Sequence, residues 1–278
     1  MIRNTFFDLH RFVNVCRKEM VEGWKGNLLR IILMYGVLAI ALIWNAYVEY
    51  DVYRSKESIE GGLWSFGVVA FIWGLVIMGC LSASFTMERM KTKTNRISML
   101  MTPATLFEKF FARWLVFTFS FLIVYLIAYK LADWTRVLLF MAKYPEMDSI
   151  GSVPLCSYLV AGCRDSMEHW TAFSDGRKFL LGVSGYFFLQ SCFVLGSSIW
   201  PKNAFLKTFA TGVILVIVYT LVGTTLIKLL FDGNRIDLDW PSEETGMALV
   251  TVLFFIMTLV NWVLAYFRFK ESEIINRW

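Results

Sequence analysis

Apolar and polar positions along the chain alternate in blocks. Six mostly apolar stretches, approximately Leu28 to Val48, Leu63 to Phe85, Trp114 to Leu131, Phe179 to Trp200, Thr208 to Phe231 and Met247 to Phe267, are separated by connectors that hold most of the charge. At about 1.5 Å per residue, a helix of roughly 20 residues crosses the ~30 Å hydrocarbon layer of a bilayer. Each stretch meets that length. Ahead of the first, Phe6, Leu9, Val13, Cys16 and Met20 recur at steps of three or four, with Arg11, Arg17, Lys18, Glu19 and Glu22 mostly elsewhere. That pattern predicts an amphipathic helix over residues 1–27, lying in the membrane interface and too polar to span. The expected fold is an all-α integral membrane protein: an interfacial helix over 1–27, then a single six-helix transmembrane domain over 28–278.

Composition agrees, with 57% hydrophobic, 17% aromatic and only 18% charged residues. The net charge of +5 raises nucleic acid as a partner, but the Lys and Arg sit in connectors between apolar runs and not on one basic face, so none is expected. Their distribution orients the chain instead. Sixteen fall in the N-terminal segment, the second connector, the Pro201 to Lys207 turn and the C-terminal tail, against nine in and beside the other connectors. Positive charge stays inside, so both termini are expected in the cytoplasm. The start lacks the apolar run and small-residue cleavage site of a signal peptide, so the first span is expected to act as an uncleaved insertion signal. Residues 132–178 then face outward. Trp134 to Met141 can prolong the third span, Ser157 to Trp170 can form a second short helix, and the whole is too small for an independent core.

The most informative stretch is Ser82 to Arg113, a Thr-rich connector carrying Arg89, Lys91, Lys93, Arg96, Lys109 and Arg113. Pro103 suits a first helical turn, and Thr105 followed by Glu108 has the spacing of a capping box. A helix is therefore expected to start here, outside the bilayer. Leu106, Phe107, Phe110 and Phe111 follow as one apolar stripe.

The run Met101-Thr102-Pro103-Ala104-Thr105-Leu106-Phe107-Glu108-Lys109-Phe110, preceded by Arg96 and Ser84-Phe85, resembles the cytoplasmic loop of ABC-2 type transporter permeases. It is most similar to a bacterial branch whose loop carries Pro-Ala-Ser/Thr and then Glu-Lys. The resemblance implies that residues 86–113 are a coupling loop whose helix docks into a separate ATPase subunit. Pro103, Leu106, Phe107, Glu108, Lys109 and Phe110 would form the contact, with Glu108 and Lys109 meeting charge and the apolar residues filling a groove. The apolar stripe can equally pack on the permease itself. Further implications are a homodimer or paired permease, ATP used by the partner and no cofactor on this chain. A bacterial inner-membrane location and export are implied as well, with the 1–27 helix as the family's interfacial elbow. The family's hairpin between the fifth and sixth spans is minimal or missing here, and the outward loop is longer than in simple members. The residues alone leave an alternative: a non-transporting scaffold or assembly factor that binds a cytoplasmic partner through the same loop; membrane lipid is an expected partner in either case.

Other chemistry is thin. No P-loop is present, so any ATPase site belongs to another chain and this one is not expected to be an enzyme. Gly182-Val183-Ser184-Gly185 has the form of an intramembrane serine protease motif, but the histidines, His10 and His169, both precede it and lie outside the spans. Close helix packing by small residues is the simpler reading. Cys156, Cys163 and His169 lack zinc-site spacing, and a disulfide between Cys156 and Cys163 is the better expectation in an outward loop. No carboxylate falls near a span centre, which argues against proton-coupled transport. Asn45, Gln190, Ser191, Thr211, Thr220 and Asn261 read as hydrogen-bonding glue between helices.

Overall fold

The computed structural model describes residues 6–52, 56–144, 152, 159, 171–230 and 242–271. Among them the chain is helical: α1 (Leu9–Val52), α2 (Lys56–Ser84), a 3-10 turn (Glu88–Lys91), α3 (Lys93–Leu100), α4 (Leu106–Leu115), a π turn (Val116–Ser120), α5 (Phe121–Lys143), α6 (Gly176–Ile199), α7 (Ala204–Leu230) and α8 (Glu243–Lys270). Among the described residues, six stretches are long and apolar enough to cross a membrane: Leu9–Tyr50, Gly61–Ser84, Leu106–Lys143, Gly176–Ile199, Ala204–Thr225 and Glu243–Lys270. They coincide with the six apolar runs. Cys156, Cys163 and His169, the expected helix from Ser157 to Trp170 and the centre of the acidic connector before α8 lie outside the described residues.

One expected boundary is corrected. The amphipathic segment is not a separate helix before the first span, because α1 runs unbroken through Gly26 and Asn27 for 44 residues. The third span, expected from Trp114, is continuous with the helix that the capping box starts. Its helix starts at Leu106 and passes through the π turn, where the Phe121 amide bonds the Val116 carbonyl, into α5. α5 ends at Lys143, so Trp134 to Met141 do extend the helix. Near its end Asp133 and Arg136 form a buried pair with Nη2 to Oδ1 at 2.6 Å, and Lys130 Nζ lies 3.7 Å from Asp133 Oδ2.

The contacts divide the chain into two units. The first comprises residues 1–82 and 103–183. Its core joins Met34, Leu38 and Leu42 of α1, Val68 and Phe71 of α2, and Tyr125, Ala128, Tyr129 and Ala132 of α5. A buried tyrosine needs a partner for its hydroxyl. Tyr125 donates to the Phe71 carbonyl at 2.7 Å and Tyr129 to the Gly67 carbonyl at 2.9 Å, which fixes α5 against α2. Gly74 leaves room for this. A Cβ there would lie 2.6 Å from the Tyr125 oxygen and 3.4 Å from Leu38 Cδ2. Gly74→Ala is therefore expected to destabilise the chain by about 1–3 kcal/mol. Adding Tyr125→Phe removes the clashing oxygen and recovers part of the loss. Thermal unfolding in one detergent measures both.

The second unit comprises residues 83–102 and 184–278. α6 and α7 form a tight hairpin in which Asn203, at φ 57°, occupies the left-handed region that asparagine tolerates. Phe193 stacks on Phe205 at 5.3 Å. α6 also meets α8, where Phe188 stacks on Phe254 at 5.1 Å and the Asn261 amide donates to Ser191 Oγ at 2.9 Å. Asn261 and Ser191 thus act as the expected glue. Thr220 instead returns its hydroxyl to the Val216 carbonyl of its own helix.

Candidate functional site: the connector between the second and third spans

The connector's first half belongs to the second unit. After the 3-10 turn, Thr92 adopts an extended conformation and its side chain accepts from the Asn95 amide at 3.4 Å, the N-cap of α3. Thr-to-backbone capping of this kind starts a helix where no apolar periodicity demands one. Met87, Met90 and Met99 turn inward, and Arg96 Nη2 donates to the Met90 carbonyl at 3.1 Å. Lys91, Lys93, Thr94, Asn95, Ser98 and Met101 face outward, with Met101 78% exposed. The result is a short element with an exposed, cationic face.

The second half belongs to the first unit. Both bonds of the expected capping box are present: Thr105 Oγ1 accepts from the Glu108 amide at 3.3 Å, and the Thr105 amide donates to Glu108 Oε2 at 3.0 Å. Glu108 does more than cap. Its Oε2 also accepts from Arg11 Nε at 2.7 Å, while Oε1 accepts from Arg11 Nη2 at 2.7 Å and from the Asp8 amide at 2.8 Å. Four donors converge on one carboxylate that has no solvent exposure. A two-pronged guanidinium contact of this kind is among the stronger polar interactions available to a protein. Thr105 Oγ1 also donates to the Phe6 carbonyl at 3.2 Å, and Arg113 Nη1 pairs with Glu19 at 3.1 Å. Aromatic rings close the seam: Phe6 lies 4.9 Å from Phe107 and Phe12 lies 5.3 Å from Phe111.

This geometry places most of the expected contact residues in the seam itself. Glu108, Lys109 and Phe110 are buried, and Leu106 and Phe107 are partly buried, Phe107 in the seam against Phe6 and Phe7. Glu108 and Lys109 cannot offer charge to a separate protein while the clasp holds. Of the expected contact residues only Pro103 is exposed. The exposed cations of the connector are Lys91 and Lys93. Their sign was the extended Thr92 cap and the absence of any apolar stripe on α3; Arg11 as the Glu108 partner, 97 positions away, left none.

Ser184 of the Gly182–Gly185 run is buried in α6, and a Cβ on Gly182 would clash with the Phe173 ring, which supports packing as the reason for that glycine, whereas a Cβ on Gly185 would make only ordinary contact with Phe254 at 3.7 Å. No group of His, Cys, Asp and Glu among the described residues is placed to hold a metal ion. No known protein family, curated protein or solved structure matches the chain.

Proposed function

We propose that this chain is the membrane permease subunit of an ATP-driven export system of the ABC-2 type, in a bacterial inner membrane with both termini cytoplasmic. It pairs with a second permease copy or a related permease, and a separate ATPase subunit docks on the connector between the second and third spans. Three features support the reading: six membrane-length apolar helices, the excess of Lys and Arg on the expected cytoplasmic side, and the loop from Ser84 to Phe110 that resembles this family. The observation that carries it is the outward face of the 3-10 turn and α3, where Lys91, Lys93, Asn95 and Met101 form a cationic, partly apolar patch on a segment too short for its own core. That patch takes the docking role in place of Glu108 and Lys109.

The mechanism follows from covalent continuity. A push on α3 passes through residues 101–105 into α4, which is the same helix as the third span. The Glu108 clasp carries part of it to α1. A rigid-body shift of α1 and α5 together would then alternate access to the two sides.

The test is purification of the full chain in mild detergent, with mass spectrometry of copurifying proteins and an ATPase assay. A P-loop ATPase is expected to copurify. Lys91→Glu with Lys93→Glu should weaken its retention at least about tenfold, the scale of one or two lost charge contacts at an interface, without moving the unfolding temperature. Absence of any ATPase would sink the permease reading in favour of a membrane scaffold.

A further inference from the structure

The buried face of α6 is unusually polar for a membrane-length helix. It carries Ser184, Gln190, Ser191 and Ser197 among its buried residues. Small hydroxyls manage such burial by bonding their own helix. Ser191 donates to the Phe188 carbonyl, Ser197 to the Val194 carbonyl and, on α8, Thr258 to the Phe254 carbonyl, each at 2.7 Å. Gln190, like Thr208 Oγ1 on α7, is left without such a bond. It sits near the middle of the 24-residue helix, has no solvent exposure, and neither its Oε1 nor its Nε2 has a hydrogen-bond partner. In the middle of a membrane-length helix neither water nor lipid headgroups are at hand, and each unmet polar atom lowers stability. An apolar residue of similar size would hold the closed packing better.

The surroundings narrow what the amide is for. One residue along, the Asn261 amide bonds Ser191 Oγ at 2.9 Å and Cys192 Sγ at 3.5 Å. One turn back, Phe187 meets the Trp262 ring at 6.3 Å. Every buried charged residue described belongs to the first unit; the second unit buries only uncharged polar groups. A charged ligand would lose its hydration here with no countercharge to replace it.

We propose that Gln190 is the central contact of a binding site within the second unit for an uncharged molecule that presents both a hydrogen-bond donor and an acceptor. In the described state the site is closed. The molecule reaches it when α6 parts from its neighbours. This deepens the permease reading and rests on it for the assignment of that molecule as cargo, whereas the binding site itself stands apart from any ATPase.

Gln190 is the one glutamine of the chain, so a sample isotope-labelled at glutamine shows a single side-chain amide pair by NMR. The full chain, alone in phosphatidylcholine nanodiscs, is titrated with decanamide, decanoate and decylammonium, which share a tail and differ in charge. Decanamide should shift the amide pair saturably, and the two charged analogues should need at least about tenfold more. Gln190→Leu should keep or raise the unfolding temperature while weakening binding of radiolabelled decanamide about tenfold. An amide pair that ignores decanamide or exchanges with water like an exposed amide overturns the proposal. So do charged analogues that bind as well, unchanged decanamide binding by Gln190→Leu, or a fall in its unfolding temperature. A negative result here with an ATPase copurifying leaves the permease reading in place, and the reverse pattern keeps the site while removing its transport role.

Discussion

Glu108→Ala is expected to lower the stability of the first unit by about 1–3 kcal/mol, the range for leaving hydrogen-bonding groups unmet in a part-buried seam. The alanine removes the acceptor for Arg11 Nε and Nη2 and for the amides of Asp8 and Thr105 at one stroke. Arg11, whose side chain is only 25% exposed, then faces a seam of phenylalanines. Glu108→Gln should be nearly as harmful, because its NH2 group points a donor at donors. Arg11→Met combined with Glu108→Gln should recover part of the loss, since removing both charges leaves no unpaired ion. The readouts are thermal unfolding and limited trypsin cleavage after Arg17, which should speed up in Glu108→Ala as the start of α1 comes away from α4. Unchanged cleavage and stability would mean that the clasp holds nothing. The same variant separates two explanations of a lost partner: Lys91→Glu with Lys93→Glu alters the docking surface on an intact fold, whereas Glu108→Ala loosens the fold behind it.

The capping box was legible because Thr105 and Glu108 are three residues apart and local spacing determines which backbone amide a side chain can reach. The six spans were legible for the same reason, as each is a property of consecutive residues. What escaped involved long separations. Nothing in the neighbourhood of Glu108 announces Arg11, so a carboxylate on an apparently amphipathic stripe read as surface charge. The unbroken α1 escaped differently. The change from polar to apolar at Gly26 and Asn27 is a change of side-chain character and not a turn of the backbone, and the helix continues through it. Gln190 and Asn261 looked alike as glue, but glue needs an acceptor on the opposing helix. Asn261 finds Ser191 and Cys192; Gln190 finds no partner.

In the second unit the largest expected effect comes from a single methyl group. Gly196→Ala should destabilise the α6–α7 hairpin by about 2–3 kcal/mol, near the upper end for an overpacked contact. A Cβ at Gly196 would lie 2.7 Å from Thr208 Cγ2 and 2.8 Å from Thr208 Cβ, with Thr208 Oγ1 nearer still. A rotamer change does not relieve this. Threonine branches at Cβ, so rotating χ1 exchanges Oγ1, Cγ2 and hydrogen around an atom that is itself too close. Relief requires the helices to separate, and the short turn through Asn203 allows little separation at that end. Where two membrane-length helices meet, small residues such as Gly196 let the backbones approach closely, and that approach supplies the packing that apolar surface alone does not provide in lipid. Thr208→Ala should be mild alone, because it removes the γ atoms and leaves Cβ. Combined with Gly196→Ala it should recover only part of the loss, which distinguishes a backbone-distance limit from a side-chain clash. If the two changes together restore full stability, the hairpin is not held by close approach at Gly196, and the packing account of α6 fails at its tightest point.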